Sequence, residues 1–152
     1  MKLSDTLKKV TVAASKGDMQ RQITGVNIDS RQVKPGDLFI AVKGTQADGH
    51  QYIPKAIELG AVAILMSEPI PADAAENVTY VQVDDTEDAV GKVATMFYGD
   101  PTTKLKLVGV TGTNGKTTTC MLLHNMLNML GRKTAYTGTN GFYINKFIKE
   151  LP

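Results

Sequence analysis

The sequence predicts an α/β fold, and three observations carry that prediction. Short apolar runs alternate with stretches of helical spacing from residue 23 onward, which is how strands and helices sharing a core are written. A second strand, loop and helix pattern, LKLVGVTGTNGKTTT at 105–119, follows the breaker Gly99-Asp100-Pro101. The composition, 42% hydrophobic and 21% charged with a formal charge of +2, is that of a globular chain rather than a disordered or fibrous one.

The elements follow in order. Leu3 to Val10 has amphipathic helical spacing with Ser4 or Asp5 near its start, and a polar stretch then runs to Gln22. Ile23 to Ile28 alternates as a strand, and Asp37 to Val42 forms another after the Pro35-Gly36 turn. A loop with Gly44 and Gly49 leads to a helix facing inward through Ile53, Ala56 and Ile57 and ended by Gly60. The continuous run VAILM at 62–66 reads as a strand buried on both faces. Val78 to Val83 is a further strand beyond the prolines at 69 and 71. From Thr86, Val90, Val93, Ala94 and Phe97 recur at helical spacing, with Thr86 or Asp85 as N-cap. Leu105 to Thr111 is expected to be a buried strand. Thr117 to Leu130 is expected to be a helix with Leu123, Met126, Leu127 and Leu130 on one face and Gly131 as its C-cap. Thr134 to Thr137 offers one more strand. A domain boundary is expected after residue 85, with 86–152 the beginning of a second domain.

Several functions are excluded or disfavoured. A single cysteine cannot form an internal disulfide, and with no cysteine cluster for a metal the expected setting is the reducing cytoplasm. No apolar run reaches the ~18 residues of a membrane span, and MKLSDTLKKV has no apolar core of signal-peptide length, so neither export nor membrane insertion is expected. The charges alternate without a basic stripe, so no nucleic acid is expected. His50 and His124 lack a nearby ligand partner in sequence and read as ordinary surface or helix residues. Cys120, Met121, Met126 and Met129 read as packing residues, and Lys146 and Lys149 as a solvated basic tail.

The strongest chemical signal is the glycine-rich turn that opens a helix on a Lys-Thr pair. Backbone N–H groups there converge on phosphate oxygens, aided by the helix N-terminus. Lys116 is the catalytic candidate, supplying charge at the β/γ-phosphates, and the Thr117 hydroxyl is the magnesium ligand. Gly112, Thr113, Asn114, Gly115, Lys116, Thr117 and Thr118 make up the ATP-binding set. The generic phosphate-loop pattern wants glycine where Val110 stands, and Gly109, Gly112 and Gly115 do not form the dinucleotide fingerprint. Near the N-terminus, Asp29-Ser30-Arg31 follows a strand. Asp29 and Arg31 can pair on the surface or receive a ligand, and the residue types leave both open.

TGTNGKTTT resembles the ATP-binding loop of the Mur ligases, the amide-forming enzymes of peptidoglycan precursor synthesis, in which the first glycine is relaxed as well. VNIDSRQVKPGDLFIAVKGTQADGHQYIPKAIELGAVAIL at 26–65 looks like the uridine-nucleotide-binding domain of the third and fourth ligases of that pathway. The resemblance implies a mixed-sheet uridine-nucleotide-binding domain at 1–85, then the start of a phosphate-loop ATPase-type domain. It also implies substrate contacts at Ile28, Ser30, Thr45, Gln46 and Ala47, with threonine at 45 where many relatives have histidine. The implied reaction adds a diamino acid, L-lysine or meso-diaminopimelate, to UDP-N-acetylmuramoyl-L-alanyl-D-glutamate. It uses ATP and Mg2+, passes through an acyl phosphate and is carried out by a monomer. The resemblance implies that the family's later magnesium ligands, its carbamoylated lysine and the domain selecting the amino acid are not expected within these 152 residues. The chain alone is therefore expected not to ligate. The alternatives are the D-alanyl-D-alanine-adding ligase of the same family and an inactive uridine-nucleotide-binding module.

Overall fold

The computed structural model describes residues 1–44 and 47–149. The chain divides into two compact units, Met1–Leu105 and Lys106–Pro152.

The first unit is a five-stranded sheet with helices on both faces. Its strands are β1 (Ala14–Lys16), β2 (Val26–Asn27), β3 (Leu38–Ile40), β4 (Ala63–Met66) and β5 (Thr79–Gln82), in the order β1-β5-β4-β3-β2. β2 to β5 are parallel, and β1 closes one edge antiparallel to β5 with Ser15 opposite Val81. Alternation divides the core into two layers. Leu38, Ile40, Ala63, Leu65, Val81 and Val83 meet Leu3 and Leu7 from the first helical segment and Ala89 and Val93 from α3 (Thr86–Phe97). On the other face, Phe39, Ala41, Ile64, Met66 and Tyr80 pack with Val33 and with Ala56 of α2 (Ile53–Glu58). β4 is buried on both faces, as its uninterrupted apolar run predicts.

Some elements are shorter than the sequence predicts. α1 covers only Leu3–Thr6, because the Thr6 hydroxyl donates back to the Leu3 carbonyl at 2.6 Å and Lys8 to Val10 leave the helix as a turn. The Ile23–Ile28 strand contracts to β2, since Asp29 turns the chain into a 3₁₀ helix at Ser30–Gln32 by accepting the Arg31 N–H at 3.0 Å. The polar stretch before Gln22 contains β1. Its residues are all exposed, so no apolar alternation marks it.

The unit boundary lies after Leu105 instead of after residue 85. α3 accounts for the difference, since it buries Ala89 and Val93 in the first unit's core. Asp85 caps α3 by accepting from Glu87 N at 2.8 Å and Asp88 N at 3.2 Å.

The second unit pairs α4 (Lys116–Met129) with a three-stranded antiparallel meander of β6 (Ala135–Gly138), β7 (Gly141–Ile144) and β8 (Lys146–Lys149). The expected strand at 105–111 does not form. Leu105, Leu107 and Val108 are 60%, 69% and 69% exposed, and among the described residues no strand pairs with this segment. An apolar run becomes a strand only beside a ladder partner, and the meander pairs within itself. The expected inward face of α4 is also rotated. Leu122, Leu123, Met126, Met129 and Leu130 are exposed, while His124 is buried, with Thr117, Cys120, Met121, Leu127 and Asn128 partly so. Met126 and Met129 are therefore not packing residues within this unit.

Candidate functional site

The phosphate-loop candidates form one continuous structure. Gly112 and Gly115 have φ of 140° and 77°, the left-handed range that side chains avoid, and Gly115 is the N-cap of α4. The first helical bond runs from Thr119 N–H to the Gly115 carbonyl at 2.9 Å. The amides of Lys116, Thr117 and Thr118 precede it, at the positive end of the helix, with no side-chain cap to occupy them. Thr113, Asn114 and Lys116 are exposed, and nothing lies within 4 Å of a Cβ built on Gly115. This is a rim of N–H donors open to an anion.

Lys116 folds back over the loop, donating from Nζ to the Gly112 carbonyl and, at 3.3 Å, to the Thr113 carbonyl. Its charge thus sits over the space the loop encloses. Thr117, one residue further, is half-buried, and its Oγ1 lies 3.2 Å from Thr139 Oγ1 in the β6–β7 turn. Two hydroxyl oxygens are a donor set suited to a hard cation. No carboxylate joins them in a His, Cys, Asp and Glu grouping among the described residues. The sequence reading missed Thr139, which lies in a turn that periodicity does not mark.

The second candidate lies at the carboxyl end of β2. Asp29 and Arg31 do pair: Arg31 Nε donates to Asp29 Oδ1 at 2.9 Å and Nη2 to Oδ2 at 2.8 Å. These bonds, with the Arg31 backbone N–H and the Gln32 side chain, hold the Asp29 carboxyl well below the usual carboxylate range and raise the Arg31 guanidinium. Of the residues flanking Asp29, Ile28 is 59% exposed and Ser30 is buried. The aspartate and arginine are thus committed to shaping the turn, while Ile28 presents an apolar side chain outward.

Beside this turn opens a cleft of about 480 Å3, lined in part by Thr24, Asn27, Arg31, Lys34, Asp37 and Tyr98. Asp37, Asn27 and Thr24 were not singled out in the sequence. The available signal is a charged residue opening the apolar run DLFIAV.

Thr45 and Gln46 lie outside the described residues. Ala47 is exposed and its carbonyl accepts the Gly44 N–H at 3.1 Å. The segment that follows is pinned by His50, which is buried and not on the surface. His50 Nε2 accepts the Ser67 N–H at 3.0 Å, so the ring proton is on Nδ1, which faces Asp48 Oδ1 at 2.6 Å. The His50 backbone N–H, then its ring, lower the Asp48 carboxyl from its ordinary value. Asp48, His50 and Glu68 offer atoms within 4.8 Å of one another. Both ring nitrogens are already engaged, which makes this a structural tie. His124 is buried likewise: Asn128 Nδ2 donates to Nε2 at 3.0 Å, Thr134 Oγ1 lies 2.9 Å from Nδ1, and Thr134 Oγ1 donates to Asn128 Oδ1 at 2.7 Å.

Comparisons with known proteins identify the family. Residues 22–98 match the catalytic domain of the Mur ligase family and residues 110–152 match the Mur ligase middle domain. The chain belongs to the Mur ligase family. Among curated relatives, the UDP-N-acetylmuramoyl-L-alanyl-D-glutamate--2,6-diaminopimelate ligase of Phocaeicola vulgatus is 56% identical over 146 residues, covering 96% of this chain and 30% of the relative. A solved structure of a UDP-N-acetylmuramoyl-L-alanyl-D-glutamate--2,6-diaminopimelate ligase has a TM-score of 0.69 at 24% identity, covering 95% of this chain and 28% of that one. That likeness bears on the fold. A MurF ligase from Thermotoga maritima, solved in complex with ADP, has a TM-score of 0.53 at 32% identity over 72% of this chain and 24% of its own. The chain spans about 30% of the length of the curated relatives it matches.

Proposed function

We propose that this chain supplies the uridine-substrate-binding unit and the phosphate loop of an ATP-dependent ligase. The ligase joins 2,6-diaminopimelate to the D-glutamate carboxylate of UDP-N-acetylmuramoyl-L-alanyl-D-glutamate. The observation that carries this reading is the 56% identity to a ligase of that name, spread over 96% of the chain and across both units. It favours diaminopimelate over lysine and over D-alanyl-D-alanine as the added group. The protein acts as a cytoplasmic monomer, and the one cysteine, half-buried Cys120, suits a reducing setting.

The roles follow from the loop geometry. The amides of residues 112–118 and the N-terminus of α4 receive the ATP phosphates, with the side chains of Thr113, Asn114 and Thr118 at their edge. Lys116 swings from the Gly112 and Thr113 carbonyls to the phosphoryl group being transferred and offsets its charge. Thr117 Oγ1, which lies 3.2 Å from Thr139 Oγ1, would hold a magnesium ion, and such an ion would neutralise phosphate charge. The amine of the incoming diamino acid then attacks the carbonyl carbon of the acyl phosphate, the C–N bond forming as the C–O bond to phosphate breaks, with inorganic phosphate leaving and the amine giving up a proton. On the first unit, Ile28 covers the uracil ring and Ser30, with Thr45, Gln46 and Ala47, offers polar contacts to the nucleotide.

The test is ADP release and product formation by the intact ligase polypeptide with each amine in turn. Release that requires both the UDP-linked dipeptide and diaminopimelate supports the reading. Equal or faster reaction with L-lysine or D-alanyl-D-alanine rejects the assigned amine, and release indifferent to the UDP-linked dipeptide rejects the ligase.

A further inference from the structure

We propose that Asp37 is a positioning residue for the uridine substrate, its buried carboxylate clamping both ends of the turn that carries Ile28 and Ser30. The proposal rests on the reading of that turn as the substrate contact.

Asp37 is 4% exposed and stands immediately before the fully buried residues Leu38 to Ala41. A carboxylate in such a place needs hydrogen-bond donors. Its Oδ2 receives Asn27 Nδ2 at 2.6 Å and the Lys34 backbone N–H at 2.9 Å, and Thr24 Oγ1 lies 3.4 Å from Oδ1. Asn27 ends β2, and Lys34 follows the 3₁₀ segment. One oxygen thus joins the two residues that bracket 28–33. The backbone of Asp37 is fixed in turn, since its carbonyl accepts the Val62 N–H at 2.9 Å ahead of β4.

The surroundings are shaped to the carboxylate. A Cβ on Gly25 would lie 3.0 Å from Asp37 Cγ and collide outright with Oδ1, so only glycine leaves room for the acid. Stability alone does not explain the arrangement, because an apolar side chain of similar size would fill a core-edge position without needing three donors. Within the turn, the backbone bonds Gln32 N–H to Asp29 O at 3.0 Å and Val33 N–H to Ser30 O at 3.4 Å are local ones. They shape the 3₁₀ turn but do not tie it to the sheet, whereas Asp37 does. Its position determines where Ile28 and Ser30 are presented.

The experiment compares Asp37→Ala, Asp37→Asn and Asn27→Ala in the intact ligase polypeptide. Asp37→Ala is expected to raise KM for UDP-N-acetylmuramoyl-L-alanyl-D-glutamate about tenfold or more, leaving kcat and KM for ATP within about twofold. Asp37→Asn is expected to restore KM to within about threefold. Its amide oxygen can take the Asn27 and Lys34 donors, and its NH2 can face the Thr24 hydroxyl. Unchanged KM in the alanine variant, kcat falling in step with KM for both substrates, or asparagine no better than alanine each overturns the proposal. Should Asp37→Ala not fold, Asn27→Ala decides by the same KM, a rise of about threefold supporting the clamp and no rise overturning it. Hydrogen exchange at the Lys34 amide, faster in Asp37→Ala than in the wild type, reads the clamp without substrate. A wild-type protein that fails to bind the UDP-linked substrate overturns the positioning role. If Lys34 is still protected by Asp37, the fault lies in the functional reading and not in the clamp.

Discussion

Lys116 contributes little to packing, since it is exposed and its partners are two loop carbonyls. In the intact ligase, Lys116→Ala should lower the rate of phosphoryl transfer by about a hundredfold or more, while thermal unfolding stays close to that of the wild type. Single-turnover kinetics beside a melting curve check both halves, and a large fall in melting temperature would point to a structural role. The glycine turn and the helix start at Lys116 were legible because both are written in consecutive residues. Asp37 and His50 were not, because each works through partners distant in sequence, Ser67 for His50 and Asn27 for Asp37. The Asp29–Arg31 pair supplies a pH prediction. Since its folded pKa is depressed, Asp29 adds stability that is complete above the ordinary carboxylate range and is lost as pH falls through the lowered value. An NMR titration of the Asp29 carboxyl should show this low midpoint, and Arg31→Ala, which removes the side-chain bonds but keeps the backbone N–H and Gln32, should move it up toward the ordinary carboxylate range.

At the level of elements, α3 is the helix the sequence described best. Asp85, one of the two N-cap candidates, is the cap, and of the apolar residues at helical spacing Val93 is buried and Val90 and Phe97 pack partly buried beside it, whereas the buried Ala89 was not singled out. Asp85→Ala removes the acceptor of two backbone N–H groups and should cost about 1 kcal/mol in chemical denaturation. A change below about 0.3 kcal/mol would show that water replaces the cap at no loss. α4 was read less well. Leucine and methionine recur on its outward side, while the side facing the meander carries His124, whose polar type hid its burial from a hydrophobicity pattern. The run at 105–108 failed for a related reason. Apolar sequence announces a wish for burial without naming the partner, and no described strand lies beside it.

For the whole molecule, the division after Leu105 makes a truncation prediction. Residues 1–105 should fold cooperatively alone, whereas 1–85 lacks α3 and uncovers Leu3, Leu38, Leu65 and Val81. Losing the burial of Ala89 and Val93 should remove several kcal/mol, on the order of the ~2 to 5 kcal/mol seen for large core truncations. Urea unfolding and amide dispersion by NMR compare the two, and equal stability would return the boundary to residue 85. The strand order β1-β5-β4-β3-β2 also sets a timetable for synthesis on the ribosome. Ala14–Lys16 leaves the exit tunnel early but has no ladder until Thr79–Gln82 is translated, whereas β2, β3 and β4 meet their neighbours in the order they are made. The nascent chain is therefore expected to assemble this sheet from the β2 edge and to add β1 last. Until then β1 is expected to stay open to chaperones and proteases.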